Sequence, residues 1–227
     1  MRLNGKELFI SDFSFWAPGL CDDIQKWRDW SKGEIQIELS KDAPKLEYTD
    51  PLFRRRLSQI SKMTVHVVHN LLESTGISPD TKLIFISMRG EIEREFTINR
   101  TLINDGMILP AAFSLSVFNT PVALATLAFK MKGGYTTVFP SGNDFSAAFV
   151  NAAAPVLAGT EKQLILVYAD ELVPAEYGNL APENSFPLAF AAVIKSEESG
   201  NSKKVDLDGI PSVPYEFLKV YADFGRT

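Results

Sequence analysis

The residues best suited to chemistry in this sequence lie in one short segment, Phe113–Asn119 (FSLSVFN), ahead of a stretch of small and apolar residues. A strand, a tight turn and a buried helix can together hold a nucleophile at a helix N-terminus, where the dipole and free N–H groups favour a thiolate or an oxyanion. The segment predicts that arrangement. The candidate site residues are therefore Ser116, Phe118 and Asn119.

The predicted helix behind this turn carries its own start and stop signals. Asn119 is a good N-cap and Pro121 fits the first turn, whereas Gly133 and Gly134 are expected to end the helix. The residues after Pro110 are expected to form the strand that leads into the turn.

Ser116 could act as a nucleophile only if a base lay within hydrogen-bond reach. The two histidines, His66 and His69, lie in an earlier predicted helix, and a small residue in a tight turn is also expected on structural grounds alone.

The two histidines have no third metal ligand near them in the sequence, and Cys21 is the single cysteine. Neither a metal nor another cofactor is predicted.

The only dense basic run is Arg54, Arg55 and Arg56, near a predicted helix start. Cations at a helix N-terminus oppose the dipole, so these side chains require a partner for their charge. That partner could be internal, through salt bridges or solvent, or external, through an acidic protein surface or a phosphate group.

Composition narrows the function class. The 23 basic and 28 acidic residues give a net charge of −5, which offers no broad positive surface for a phosphate backbone, so nucleic acid is not an expected partner.

The opening MRLNGKELFISDFSFWAPG mixes charged and apolar residues, unlike a signal peptide, and no later stretch resembles a membrane span. We expect a cytoplasmic protein.

The periodicity predicts one domain over residues 1–227, with an irregular surface excursion at 32–50. Five strands are predicted, at Glu7–Phe15, Lys82–Met88, Tyr135–Phe139, Gln163–Ala169 and Phe186–Ile194, besides the one before Asn119. Helices are predicted at Pro51–Ser74, Glu91–Asn104, Val122–Lys132 and Asp144–Leu157, and the tail from Val205 is expected to add an edge element. Alternating apolar strands and helices favour an α/β fold, with a mixed or parallel central sheet flanked by helices on both faces.

Three segments carry a resemblance to a known family: Arg54–Met63 (RRRLSQISKM), Phe113–Ala123 (FSLSVFNTPVA) and Ser141–Phe149 (SGNDFSAAF). They resemble the short β-ketoacyl-synthase-like proteins encoded with bacterial aryl polyene pathways. The order of elements from about Asp50 to Ile194 is similar to the N-terminal half of β-ketoacyl synthases. The resemblance implies a thiolase-like half-fold.

The resemblance also implies what the chain lacks. It places the synthase cysteine at Phe118, where the short family would carry histidine, and this chain has no cysteine between Ser116 and Asn119. The catalytic residues of the synthase C-terminal half have no counterpart either. The resemblance therefore implies a non-catalytic, chain-length-factor-type subunit that pairs with a full-length ketosynthase in aryl polyene or fatty-acyl elongation.

Under that resemblance Phe118 would plug or floor an acyl tunnel, and the alternative is ordinary core packing. Arg54, Arg55 and Arg56 would face the acyl carrier protein or the partner. Two other functions stay open: a stand-alone acyl-thioester enzyme that uses Ser116, and a self-associating scaffold.

Overall fold

A computed structural model describes residues 7–180 and 185–224, in which a six-stranded sheet is flanked by eight α-helices. The strands are β1 Phe9–Trp16, β2 Leu83–Ile86, β3 Tyr135–Val138, β4 Gln163–Asp170, β5 Leu188–Lys195 and β6 Lys203–Lys204. The helices are α1 Ile24–Ser31, α2 Pro51–Arg54, α3 Gln59–Thr75, α4 Ile92–Asp105, α5 Pro110–Phe113, α6 Thr120–Ala128, α7 Phe145–Ala158 and α8 Pro214–Tyr221. Two 3₁₀ helices lie at Ser141–Asn143 and Ala175–Leu180.

The sheet is mixed, as the alternation of elements predicts. Its order is β3-β2-β4-β5-β1-β6; β3, β2 and β4 are parallel, and β4, β5, β1 and β6 pair antiparallel. All four residues of β2 are buried, as expected for a strand covered on both faces. The predicted tail from Val205 supplies the helix α8, whereas the edge strand β6 lies just before the tail, at Lys203–Lys204. The last three residues of that tail and the first six of the chain lie outside the described residues.

Helices cover both faces of the sheet. On one face, aromatic residues of α1, α7 and α8 pack with the strands, among them Trp27, Phe149 and Phe217. On the other face α3 and α6 bring Met63 and Val122 against the sheet. The predicted architecture is confirmed.

The helix predicted over Pro51–Ser74 is interrupted. Asp50 caps α2, accepting hydrogen bonds from the backbone N–H groups of Leu52 (2.8 Å) and Phe53 (3.2 Å), but the helix stops at Arg54. Ser58 then starts α3 by accepting from the N–H of Ser61. One long helix was a wrong prediction, because a second cap, Ser58, four residues past the end of α2, redirects the chain.

The strand predicted between Pro110 and Asn119 is also wrong. Pro110 occupies the first turn of the short helix α5, and the chain then reaches α6 through consecutive turns. Backbone hydrogen bonds from Leu115 to Ala112, from Ser116 to Phe113 and from Thr120 to Val117 fold this segment into turns, which leave no extended stretch for a strand. The excursion at 32–50 has neither helix nor strand, as predicted, and is anchored by buried Ile37 and Leu46.

The predicted end of the helix behind the turn needs correction as well. The helix α6 ends at Ala128, and Lys130 adopts a left-handed conformation (φ 52°). Gly133 serves a different purpose, because a Cβ at that position would lie 2.3 Å from the carbonyl oxygen of Asp80. It allows the chain to cross the segment before β2 on its way into β3.

This close approach predicts that Gly133→Ala destabilises the protein by about 1–3 kcal/mol, the usual cost of overpacking. Gly200→Ala is the matched control, since a Cβ there meets nothing within 4 Å. Urea unfolding of both variants measures the difference. Equal free energies of unfolding would contradict the account of Gly133.

Candidate functional site

Phe118 lies at the carboxyl end of the parallel strands β2 and β3. Its ring makes edge contacts with Phe85 of β2 (centroids 6.4 Å apart) and with Phe139, which follows β3 (5.8 Å). Gly90 packs directly against the ring, because a Cβ at that position would be 2.7 Å from Phe118 Cδ2. The position that the sequence comparison assigns to a nucleophile is therefore occupied by a half-buried aromatic side chain in an aromatic cluster.

The two polar candidates beside Phe118 have local partners. Ser116 Oγ donates a hydrogen bond to the carbonyl oxygen of Phe113 (2.9 Å). Asn119 stands at the N-cap position of α6, but its side chain makes no capping bond, so the predicted cap is wrong. Its amide instead donates to Tyr135 Oη (2.8 Å), which ties the start of α6 to β3.

Neither histidine serves as a base for Ser116. His66 Nε2 lies 2.7 Å from Asp22 Oδ1, and the ring of His69 stacks on Tyr48 with centroids 3.6 Å apart. Burial lowers the pKa of His69. The two α3 histidines are thus engaged by Asp22 and Tyr48 and not by Ser116.

Neither a reactive cysteine nor a metal site is supported by the part of the chain that the structure describes. Cys21 is exposed and burial of its sulfur still raises the pKa of the thiol, so it is not an activated thiolate. Within residues 7–180 and 185–224, no group of three histidine, cysteine or carboxylate side chains could hold a metal ion.

The three consecutive arginines differ in their contacts. Arg54 Nη1 donates to the carbonyl oxygens of Leu46 (3.3 Å) and Thr49 (3.5 Å), so it fastens the excursion to α2. Arg55 and Arg56 are exposed. Arg54 therefore has internal partners, whereas an external partner for Arg55 and Arg56 stays a prediction.

Sequence reasoning missed a buried carboxylate at the end of β4. Asp170 accepts hydrogen bonds from Ser87 Oγ (2.7 Å), from the backbone N–H groups of Met88 and Arg89 (3.1 Å each) and from Tyr168 Oη (2.6 Å). Burial raises its pKa, and these donors oppose that effect. Asp170 thereby holds the loop that follows β2 and leads to Gly90.

Glu171, the next residue, caps two helices with one carboxyl group. It accepts from the N–H of Ile60 in α3 (3.2 Å) and from the N–H of Glu93 in α4 (3.0 Å). Burial, followed by the nearby charge of Glu91, raises its pKa from the ordinary 4.5 to about 8. The signal available in the sequence was a pair of acids directly after a buried apolar strand, QLILVYA.

Glu91 completes this junction. Its Oε1 accepts from Ser58 Oγ (2.7 Å) and Ser61 Oγ (2.5 Å), and its Oε2 accepts from Arg94 Nε (3.0 Å). Arg94 also donates to the carbonyl oxygen of Arg56 (2.9 Å). The starts of α3 and α4 are therefore locked together beside the aromatic cluster.

The surface around β3 is apolar and open. Among the described residues β3 pairs with β2 alone, and Tyr135 is 37% exposed. Phe139, a member of the aromatic cluster, is 63% exposed, and Val117, next to Phe118 in the sequence, is 48% exposed. An edge strand flanked by exposed apolar side chains is suited to contact with another protein chain.

No helix in the described part of the chain is both long enough and apolar enough to cross a membrane. The fold is a mixed α/β fold of the thiolase-like, ketosynthase type, and the candidate site is the aromatic cluster around Phe118.

The sequence matches the β-ketoacyl synthase N-terminal domain over residues 27–213, so the chain belongs to that family. The ketosynthase (ApeO) in complex with its chain length factor (ApeC) from Xenorhabdus doucetiae is similar at 25% identity and a TM-score of 0.72, covering 85% of this chain and 80% of that one. A search of curated proteins found no match.

Two further solved structures show the same fold. The ishigamide ketosynthase/chain length factor matches with 13% identity and a TM-score of 0.65, over 86% of this chain and 64% of that chain. The type II polyketide acyl-carrier protein in complex with its ketosynthase bound to the hexaketide (AntDE:AntF) matches with 14% identity and a TM-score of 0.62, over 84% and 62%. This chain thus spans less than two thirds of either.

The raised pKa of Glu171 predicts a specific pH dependence of stability. Between about pH 4.5 and pH 8 the folded chain keeps a proton that the unfolded chain releases, so the free energy of unfolding falls as pH rises. The slope is up to about 1.4 kcal/mol per pH unit. Glu171→Gln, which mimics the protonated form, removes this contribution.

Urea unfolding at several pH values between 5 and 8 measures the slope for both proteins. Glu95→Gln, at an exposed position of the same helix α4, is the matched control and is expected to keep the wild-type slope. Parallel profiles of wild type and Glu171→Gln would contradict the assignment of the proton to Glu171.

Proposed function

We propose that this chain is a cytoplasmic, non-catalytic subunit of the chain-length-factor type, which pairs with a full-length β-ketoacyl-carrier-protein synthase. The observation that carries the proposal is Phe118, an aromatic side chain packed on Phe85, Phe139 and Gly90 at the place of the nucleophile. Similarity to a ketosynthase and chain length factor complex supports the same partner. The pathway we propose is aryl polyene or fatty-acyl elongation on an acyl carrier protein.

A stand-alone acyl-thioester enzyme is not supported by the geometry. The Ser116 hydroxyl donates a hydrogen bond to a backbone carbonyl oxygen. The histidines that could act as a base make other contacts, His66 with Asp22 and His69 with Tyr48. A nucleophile without a base in reach is weak.

The proposed interface combines the edge of β3 with the start of α6. Backbone carbonyls of Gly134 and Val138 accept from β2, through the N–H groups of Leu83 (3.0 Å) and Ser87 (3.4 Å). Since backbone groups of alternate residues in a strand face opposite sides, those of Tyr135 and Thr137 face the open edge. This edge can accept a strand of the partner.

Thr137→Pro is therefore expected to weaken pairing with the ketosynthase of the same pathway. Proline removes an outward N–H and leaves the partner carbonyl without a donor, a loss of about 1–3 kcal/mol, or roughly tenfold or more in Kd. Thr137→Val keeps the N–H and the side-chain shape and should pair normally. Co-purification and titration of the two variants against the ketosynthase give the readout.

Two results would contradict the proposed pairing. One is equal affinity of Thr137→Pro and Thr137→Val for the ketosynthase. The other is association of this chain only with copies of itself, which would favour the self-associating scaffold over a ketosynthase subunit.

The proposed role of Phe118 as the end of an acyl tunnel has its own test. Phe118→Ala removes a rigid apolar wall, so a reconstituted ketosynthase pair is expected to make longer products. Mass spectrometry of the carrier-bound products measures their length. Val220→Ala, at an exposed position on α8, is the control; an unchanged product distribution in Phe118→Ala would assign Phe118 to core packing alone.

A further inference from the structure

A groove of about 900 Å³ lies beside α6, and its lining does not include the Phe118 cluster. Its walls come from α2, from α5 with the turn after it, and from α6. Leu52 and Leu109 in the walls are each 65% exposed, and Leu127 of α6 is 72% exposed. The groove therefore presents to solvent an apolar surface of the kind that proteins reserve for binding.

The helix α6 is itself built to be covered on every side. Its sequence, TPVALATLA, has no charged residue. Val122 and Ala125 are fully buried against the sheet, whereas Leu124 is half-buried and Leu127 is exposed in the groove. A helix that is apolar all round is typical of a fully covered position, so its outer side is suited to an apolar ligand.

The charged side chains that line this groove, among the residues that the structure describes, all carry a positive charge. They are Arg55, Arg56 and Arg94, with no described carboxylate beside them, although the whole chain has a net charge of −5. Arg94 is held by Glu91, while the guanidinium groups of Arg55 and Arg56 are exposed. Guanidinium groups bind carboxylates and phosphates through charge-assisted hydrogen bonds.

We propose that this groove binds a single-chain amphiphile, with its acyl chain against α6 and its carboxylate or phosphate head at Arg55 and Arg56. The apolar lining accounts for the chain, and the positive rim accounts for the anionic head. The inference goes beyond the proposed function. It concerns the surface of this chain alone, so it can fail while ketosynthase pairing holds, and pairing can fail while it holds.

The test is titration of the full-length chain with the fluorescent fatty acid cis-parinaric acid, below the concentration at which it forms micelles. We expect saturable binding that the double variant Arg55→Glu/Arg56→Glu weakens about tenfold or more. Arg100→Glu is the matched control, because Arg100 is exposed and its nearest acidic partner, Glu176, lies 3.8 Å away outside the groove.

A separate variant tests the apolar part of the groove. Leu127→Asp is expected to abolish binding, whereas Leu39→Asp, at a 64% exposed position outside the groove, should leave it unchanged. Competition by saturated carboxylates should strengthen about fourfold for each added methylene until the groove is filled. A fatty alcohol of equal length should compete more weakly than the acid. Thermal melting of each variant verifies folding.

Three outcomes would overturn the inference. The first is no saturable binding of cis-parinaric acid. The second is binding that Arg55→Glu/Arg56→Glu and Leu127→Asp leave unchanged. The third is arginine-dependent binding to vesicles of anionic lipid without binding of the monomeric acid, which would make the groove a membrane-contact surface.

Discussion

Two consecutive carboxyl groups at the end of β4 hold together the segments that carry the site. Asp170 fixes the loop after β2 through a hydroxyl and two backbone N–H groups. Glu171 caps α3 and α4 at once. Burying adjacent acids is costly, and the cost is offset because donors from three separate segments converge on them. The loop thus fixed places Gly90 beneath Phe118.

This junction maintains a ketosynthase-like scaffold around a site whose central side chain is Phe118. The aromatic cluster of Phe118, Phe85 and Phe139 is packed, not empty, and the surfaces beside it are apolar and open. A scaffold that preserves its geometry without reactive groups is suited to shaping or pairing. The open edge of β3 and the start of α6 are where those contacts would be made.

Much of the fold could be predicted from the sequence, because its signals are local. Apolar runs such as Lys82–Met88 predicted strands, and the helices predicted over Glu91–Asn104 and Asp144–Leu157 are present as α4 and α7. The broken helix at residues 51–75 and the missing strand before Asn119 were not predictable in this way. Glu171, distant in sequence, accepts a hydrogen bond at the start of α3, and successive turns fold the segment where the strand was predicted.

The candidate site also combines features that local sequence signals predict with features that depend on tertiary contacts. The sequence placed Phe118 at the start of the helix, but the contact with Gly90 arises only because Asp170 bends the loop after β2. Asn119 followed a local rule for caps, yet Tyr135, sixteen residues away, takes its amide. Tertiary contacts override local preference where a segment is held by residues distant in sequence.

The central claim is that this chain pairs with a ketosynthase through the edge of β3. Hydrogen–deuterium exchange at the Thr137 amide, with and without the ketosynthase of the same pathway, tests it most directly. Strong protection of that amide only in the presence of the ketosynthase is the predicted result. Equal exchange in both samples, with the ketosynthase in excess, would contradict the claim.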